Sequence, residues 1–165
     1  MFWHFMFYSL LGFGLEVVFA ALTRGNPHRK CLRILPLCPV YGLGGCSIVY
    51  AADALSSPIL IFFVGAIFAT ACEYVMAAFY EDVLGARFWD YSAVPLNLHG
   101  RVCLPFSVAW GALSIPLVLW LHPRVTALPQ PPLPVTALML VAFCADFLLS
   151  CLLVRQSGTR DCLDW

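Results

Sequence analysis

Charged residues are scarce in this 165-residue chain, at 11% of the sequence against 62% hydrophobic residues. Together with a mean hydropathy of +0.87, this scarcity excludes a single soluble domain, in which the apolar share is close to half. Short segments of alternating polarity are lacking as well, which argues against a transmembrane β-barrel. The apolar runs are instead continuous, as in a bundle of membrane-spanning helices.

Several functional motifs are also missing from the sequence. The eight cysteines form no CxxC pair and no comparable ligand spacing, so we interpret them as small packing residues and predict no metal and no cofactor. The glycine cluster at residues 42–45 does not fit the GxxxxGK[ST] pattern of a phosphate-binding loop. With a formal net charge of zero and no separate basic patch, nucleic-acid binding is not expected.

Five apolar stretches approach the length of about 20 residues that a helix needs to cross a bilayer. They run over residues 2–22, 37–55, 58–80, 103–121 and 133–154. The second is short and contains three glycines, but glycine is tolerated where membrane helices pack closely. The sequence therefore predicts one integral membrane domain over residues 1–165, an all-α polytopic bundle of about five transmembrane helices in contact with the lipid bilayer.

The positions of the basic residues predict the orientation of the bundle in the cell membrane. Eight of the nine Lys and Arg residues follow spans 1, 3 or 5, and only Arg124 lies on the other side. The eight are Arg24, Arg29, Lys30, Arg33, Arg87, Arg101, Arg155 and Arg160. Because cytoplasmic loops carry an excess of Lys and Arg, we expect the amino terminus outside and the carboxyl terminus in the cytoplasm.

Three acidic residues, Glu16, Glu73 and Asp146, lie within predicted spans. A carboxylate at bilayer depth costs roughly 3 kcal/mol, so such residues normally face the bundle interior and mark a pathway or reaction site. Counted from the cytoplasmic ends of their spans, all three lie roughly 9 to 12 Å deep at 1.5 Å per residue. Small residues at helical spacing accompany each acid, such as Ala142 and Ser150 beside Asp146, and predict that these faces pack together.

The loop over residues 81–102 is too aromatic for an ordinary solvated linker. It contains RFWDYS at residues 87–92 and NLHGR at residues 97–101. Non-helical backbone is allowed at membrane depth where protein covers it. We therefore expect a partly re-entrant cytoplasmic loop that brings Arg101, with Arg87 as a second candidate, toward Glu16 and Glu73. The alternative is an interfacial loop whose charges pair with each other and with lipid headgroups.

Several short motifs give the chain a family resemblance. They are YSLLG at 8–12 with Glu16-Val17, CPVYG at 38–42, Glu73-Tyr74, ARFWDYS at 86–92, NLHGRVCL at 97–104, Trp110-Gly111 and His122-Pro123. Through them, the chain resembles the CmpB-type, or type IV, family of ABC-transporter permeases. The resemblance covers residues 8–123, does not reach Asp146, and implies a small integral membrane protein with a transporter label.

Three functions remain open on the sequence. The favoured one is a permease or permease-like subunit whose buried acids bind a cation, a proton or an amine-bearing solute at a cytoplasm-facing site. Since the chain lacks an ATP-binding loop, it would need a separate ATPase subunit, and its small size predicts a homo-oligomer.

The first alternative is a membrane enzyme that acts on a lipid or isoprenoid headgroup, with Arg101 holding a phosphate. The second is a structural or assembly protein with buried ion pairs. An enzymatic activity is the less favoured interpretation, and no catalytic residue is assigned. The predicted polar site comprises Glu16, Glu73, Asp90, Tyr91, Asn97, Arg101 and Asp146.

Overall fold

A computed structural model describes residues 1–23 and 34–158 of the chain. The described part is helical except for one short hairpin and connecting loops, which confirms the all-α prediction. Its helices are α1 (Phe2–Leu22), α2 (Pro39–Ala51), α3 (Pro58–Ala78), α4 (Leu104–Pro116), α5 (His122–Thr126) and α6 (Leu133–Ser157). The antiparallel hairpin pairs β1 (Asn97–Leu98) with β2 (Val102–Cys103).

Two of these helices continue as π-helical turns. The turn Phe79–Val83 extends α3, and the turn Leu117–Leu121 extends α4. The second follows Pro116, which has no N–H to donate and interrupts the regular hydrogen bonding of the helix. With these extensions, four helical stretches are long and apolar enough to cross a membrane: Phe2–Leu22, Pro58–Val83, Leu104–Thr126 and Leu133–Ser157. They begin within one residue of predicted spans 1, 3, 4 and 5.

The second predicted span is built differently. Helix α2 has only 13 residues, or about 20 Å, against a hydrocarbon core of about 30 Å. A non-helical segment, residues 34–38, precedes it, since the residue before a proline disfavours helical backbone and Pro39 starts the helix. Cys38 N donates to Ser9 O at 2.9 Å, which ties the start of α2 to α1. The five-span topology therefore stays a prediction.

Small residues allow the helices to approach one another closely. A Cβ added to Gly42 of α2 would collide with Ser9 Oγ of α1, and one added to Gly65 of α3 would collide with Ser114 of α4. Gly12 of α1 faces α2 in the same way. This is the close packing that small residues permit between membrane helices. The small residues of α1 face α2 here, whereas the sequence predicted that they face the acid-bearing helices α3 and α6.

The hydrophobic core lies where α3 ends. It consists of Val40, Met76, Tyr80, Leu84, Ala86, Phe88 and Val154. Helix α6 joins this core through its second half, where Ser150 and Val154 are buried. Ala142, which the sequence predicted to face the interior, is exposed. The prediction that the small-residue face of α6 packs against the bundle is therefore wrong at Ala142. This part of α6 presents apolar residues outward, as a lipid-facing helix does.

The loop between α3 and α4 folds back onto the bundle. Ala86 and Phe88 are 4% and 5% exposed and belong to the core. Trp89 Nε1 donates to Arg101 O at 2.8 Å and so holds the two ends of the loop together. Burial of aromatic side chains compensates for ordering this segment. The loop thus packs onto the bundle as predicted, and its re-entry to membrane depth from the cytoplasmic side stays a prediction.

Candidate functional site: a cavity between two carboxylates

A cavity of about 250 Å³ lies between α1, α2, α3, α4 and the loop that follows α3. Eight of its fifteen lining residues are aromatic, and two are glutamates. The lining comprises Leu15, Glu16, Phe19, Cys38, Val40, Tyr41, Glu73, Tyr80, Phe88, Trp89, Tyr91, Phe106, Ala109, Trp110 and Leu113. Three residues of the predicted polar site, Glu16, Glu73 and Tyr91, therefore meet at this cavity.

Glu73 is the buried acid of the cavity, with 5% of its surface exposed. It lies on the inward face of α3, one helical turn from Ala69 and Ala77, which are both buried. Tyr91 Oη donates to Glu73 Oε1 at 2.9 Å, and Trp110 Nε1 donates to Glu73 Oε2 at 3.1 Å. Both hydrogen-bond donors are neutral side chains, so within the described residues no cation bonds this carboxylate.

Glu16 approaches the same cavity from α1. Tyr41 Oη donates to Glu16 Oε1 at 2.7 Å, and Gly12 leaves the space that the Tyr41 ring occupies. The ring of Tyr41 packs against that of Trp110, with their centroids 5.0 Å apart at an interplanar angle of 52°. The two acids are thus connected through two aromatic side chains, one bonded to each carboxylate.

Asp90 lies on the outer side of the loop, away from the cavity lining. Its Oδ1 accepts hydrogen bonds from Ser92 N at 2.8 Å and Ser92 Oγ at 2.6 Å, and its Oδ2 pairs with Arg87 Nη1 at 3.0 Å. The hydrogen bond from the Ser92 hydroxyl is the main reason that the pKa of Asp90 lies below its usual range. Asp90 therefore stabilises the conformation of the loop. The next residue in the loop, Tyr91, reaches Glu73.

Asn97 stabilises the same loop from the hairpin. Its Nδ2 donates to Val94 O at 2.8 Å, and its Oδ1 accepts from Gly100 N at 3.0 Å. Gly100 has a φ of +69°, in the left-handed region that favours glycine. Tyr91 N donates in turn to Gly100 O at 2.8 Å. Asn97 consequently acts on the cavity only through the loop that carries Tyr91.

Arg101 pairs with the carboxylates that follow α3. Its Nε lies 2.7 Å from Glu81 Oε2 and its Nη2 lies 3.0 Å from Asp82 Oδ1. Arg87 Nε binds the other oxygen of Glu81 at 2.8 Å. The hydrogen bond to Glu81 raises the pKa of Arg101. The prediction that Arg101 or Arg87 reaches Glu16 and Glu73 is therefore wrong for the described contacts, because the π-helical turn supplies closer acids.

Asp146 is separate from the other two intramembrane acids. It does not line the cavity, and its Oδ1 accepts a hydrogen bond from Leu35 N at 3.2 Å. Leu35 belongs to the non-helical segment before α2, whose N–H groups need partners when water is excluded. Glu16 and Glu73 thus meet at one cavity, whereas Asp146 accepts a backbone hydrogen bond outside it, and the common depth of the three acids stays a prediction.

A family model described as "Putative ABC-transporter type IV" matches residues 3–151 of the chain. The chain belongs to this family. The match includes every residue of the cavity and also Asp146, beyond the end of the resemblance noted in the sequence. No curated protein and no solved structure matches the chain.

The motifs on which the sequence resemblance rests have distinct places in the structure. CPVYG supplies Tyr41 and Gly42, which form the contact between α2 and α1. WDYS supplies Tyr91 to the cavity and Asp90 to the loop. NLHGR forms the hairpin that holds the loop in place.

Sequence reasoning missed Trp110 and Tyr41, which bond the two acids, and Glu81, which binds both arginines. Trp110 carried a signal, since tryptophan in membrane proteins prefers the interface and this one lies inside a predicted span. An intramembrane Trp needs an acceptor for its N–H, and Glu73 provides one.

Some predictions concern residues outside the described ranges. They are the basic residues Arg24, Arg29, Lys30, Arg33 and Arg160, together with Cys31 and Cys162. The predicted orientation depends mainly on these positions and stays a prediction.

Proposed function

We propose that the protein is a permease-like subunit of a membrane transporter and that it handles its solute at the cavity between Glu16 and Glu73. The observation that carries the proposal is the carboxylate of Glu73, which is almost fully buried within a helix of membrane-spanning length and still lines a cavity. Ionisable residues in such helices are costly and typically belong to solute or ion pathways. The family description supports the same assignment.

The contrast between two acids of the α3 region favours a functional over a structural role for Glu73. Glu81 lies in the π-helical turn and forms ion pairs with Arg87 and Arg101, as a structural acid does. Glu73 receives only neutral donors among the described residues. A buried carboxylate without a cationic partner destabilises a fold, which favours a functional reason for its place in the cavity.

The same contacts weigh against a lipid-modifying enzyme. That alternative requires Arg101 to hold a phosphate, but its Nε and Nη2 already pair with Glu81 and Asp82. Arg101 also lies 5.4 Å from the centre of the Tyr74 ring and outside the cavity lining. We therefore retain transport as the one candidate function.

The proposal includes a separate ATPase subunit, since the sequence contains no phosphate-binding loop of its own. It also includes the predicted orientation, with the amino terminus outside and the carboxyl terminus in the cytoplasm, and a homo-oligomeric assembly.

Native mass spectrometry of the protein extracted together with its membrane tests this function. We expect an ATPase subunit in a fixed ratio and a small molecule that dissociates from the protein on activation. Glu73→Gln should retain the ATPase but lose the small molecule, whereas Asp146→Asn, an intramembrane acid outside the cavity lining, should retain both.

The absence of both an ATPase and a bound solute from the wild-type complex would contradict the proposal. Should Glu73→Gln fail to assemble, Tyr91→Phe provides a second variant, because it keeps the carboxylate and removes one of its donors. A wild-type solute load in assembled Glu73→Gln, or in Tyr91→Phe where Glu73→Gln does not assemble, would assign Glu73 to packing and would also contradict the proposal.

A further inference from the structure

We propose that the cavity binds a small organic cation of the quaternary or tertiary ammonium class. This inference rests on the proposed function, since it names the class of solute that the permease-like subunit takes. Three features of the cavity carry it: the partners of Glu73, the aromatic walls and the volume.

The first feature is the charge balance at Glu73. Its two oxygens accept hydrogen bonds from Tyr91 and Trp110, which fix the carboxylate without neutralising it. No Lys, Arg or His occurs among the described residues that line the cavity. A solute that carries a positive charge would supply Glu73 with a counter-charge that none of these described lining residues provides, and ion pairing is strong where water is excluded.

The second feature is the density of aromatic rings around this carboxylate. Tyr91 stacks on Phe106 with centroids 4.9 Å apart and an interplanar angle of 27°, and Trp110, the second donor to Glu73, packs against Tyr41. Aromatic ring faces attract cations, and cages of such rings are typical of quaternary ammonium sites. An ammonium group with few or no N–H bonds also suits a carboxylate whose oxygens already accept hydrogen bonds.

A metal cation fits this lining less well. Calcium requires six to eight oxygen ligands and magnesium an octahedral set, whereas most of the lining is aromatic or aliphatic. The described residues also contain no group of three His, Cys, Asp or Glu side chains placed to hold a metal ion. The aromatic walls are therefore better matched to an organic cation.

The third feature is the volume of about 250 Å³. Since water occupies about 30 Å³ per molecule in the liquid, the cavity has room for about eight non-hydrogen atoms. Choline fits within this limit and carries a quaternary nitrogen. Its isostere 3,3-dimethylbutan-1-ol, called dimethylbutanol below, has a carbon atom in place of that nitrogen. The two probes have the same shape, so comparing them isolates the effect of the charge.

The test is titration calorimetry of the full-length protein in nanodiscs with choline and, separately, with dimethylbutanol. We expect choline to bind at least about tenfold more tightly than dimethylbutanol. Glu73→Gln should abolish this preference, whereas Asp146→Asn should retain it. Phe106→Leu should weaken choline binding more than dimethylbutanol binding, because it removes a ring face and leaves the carboxylate in place.

Equal binding of the two probes, tighter binding of dimethylbutanol, or no binding of either would overturn the inference. The wild-type comparison decides this even if a variant fails to fold. An ATPase partner with a bound neutral solute would overturn the inference and leave the proposed function intact. Selective choline binding by a protein that has no ATPase partner and moves no choline into proteoliposomes would overturn the proposed function and leave the inference intact.

Discussion

Gly100 combines a left-handed backbone conformation with a crowded site, so adding one methyl group there carries two separate costs. Its φ of +69° costs a non-glycine residue about 1–2 kcal/mol. A Cβ at this position would also lie 2.5 Å from Ser92 Oγ and 2.9 Å from Asp90 Oδ1, and relieving such overpacking costs about 1–3 kcal/mol. Gly100→Ala should therefore destabilise the loop by roughly 2–5 kcal/mol, or at least about 30-fold in its opening equilibrium.

Gly85→Ala provides a matched control for this substitution. Gly85 has nearly the same φ, +70°, but a Cβ there would meet nothing within 4 Å. Its cost should be limited to the backbone contribution of about 1–2 kcal/mol, or about 5- to 30-fold in loop opening. The difference between the two variants thus measures the collision with Ser92 and Asp90.

Hydrogen exchange measured by mass spectrometry in nanodiscs reports the opening of this loop directly. We expect the amide of Tyr91, which donates to Gly100 O, to exchange faster in Gly100→Ala than in Gly85→Ala, while peptides from α1 remain unchanged. Equal acceleration in both variants, or a larger effect of Gly85→Ala, would refute the packing that we describe around Gly100.

Three further predictions follow from contacts of single side chains. Tyr91→Phe removes one hydrogen-bond donor from a buried carboxylate and should lower the free energy of unfolding by about 1–3 kcal/mol. Tyr50→Phe, at a position that is 76% exposed, should leave it unchanged. Equal thermal unfolding curves of the two variants would contradict this prediction. Gly42→Ala introduces a collision with α1 and should cost about 1–3 kcal/mol, whereas Gly44→Ala, with open space around the added Cβ, should not destabilise; the unfolding midpoints of the two variants in detergent decide between them. The pKa of Asp90 is lower in the folded loop than in the unfolded chain. Its contribution to the free energy of unfolding is therefore constant above a pH of about 4 and is lost as the pH falls through the folded pKa. In an acid titration, tryptophan fluorescence should change over this pH range in the wild type and not in Asp90→Asn.

The long helices could be predicted from the sequence because apolar length is a local property. The predicted starts at residues 2, 58, 103 and 133 agree with the observed helices within one residue. The second span could not be predicted in the same way. Its apolar run is continuous, but Pro39 sets the start of the helix, and the segment before it depends on acceptors from α1 and α6. Such tertiary hydrogen bonds leave no periodic signal.

The meeting of Glu16 and Glu73 could also be predicted, since residues at equal depth on small-residue faces tend to come together. The partner of Arg101 could not. The π-helical turn after α3 departs from the helical period on which sequence arguments depend, and it presents Glu81 and Asp82 to the loop. The contact of Asp146 was out of reach for another reason: a backbone N–H is a partner that every residue except proline offers.

Helix α3 and its π-helical turn carry both the acid of the cavity and the acids that hold the loop. Glu73 and Glu81 lie eight residues apart, or about 12 Å along one helical rod, and Arg101 connects Glu81 back to the loop that delivers Tyr91 to Glu73. These contacts connect the loop to the cavity wall at two points of the same helix. A displacement of the loop would therefore also move Tyr91 relative to Glu73 and change the shape of the cavity. A protein that binds the loop from outside the bundle would act on the cavity in this way.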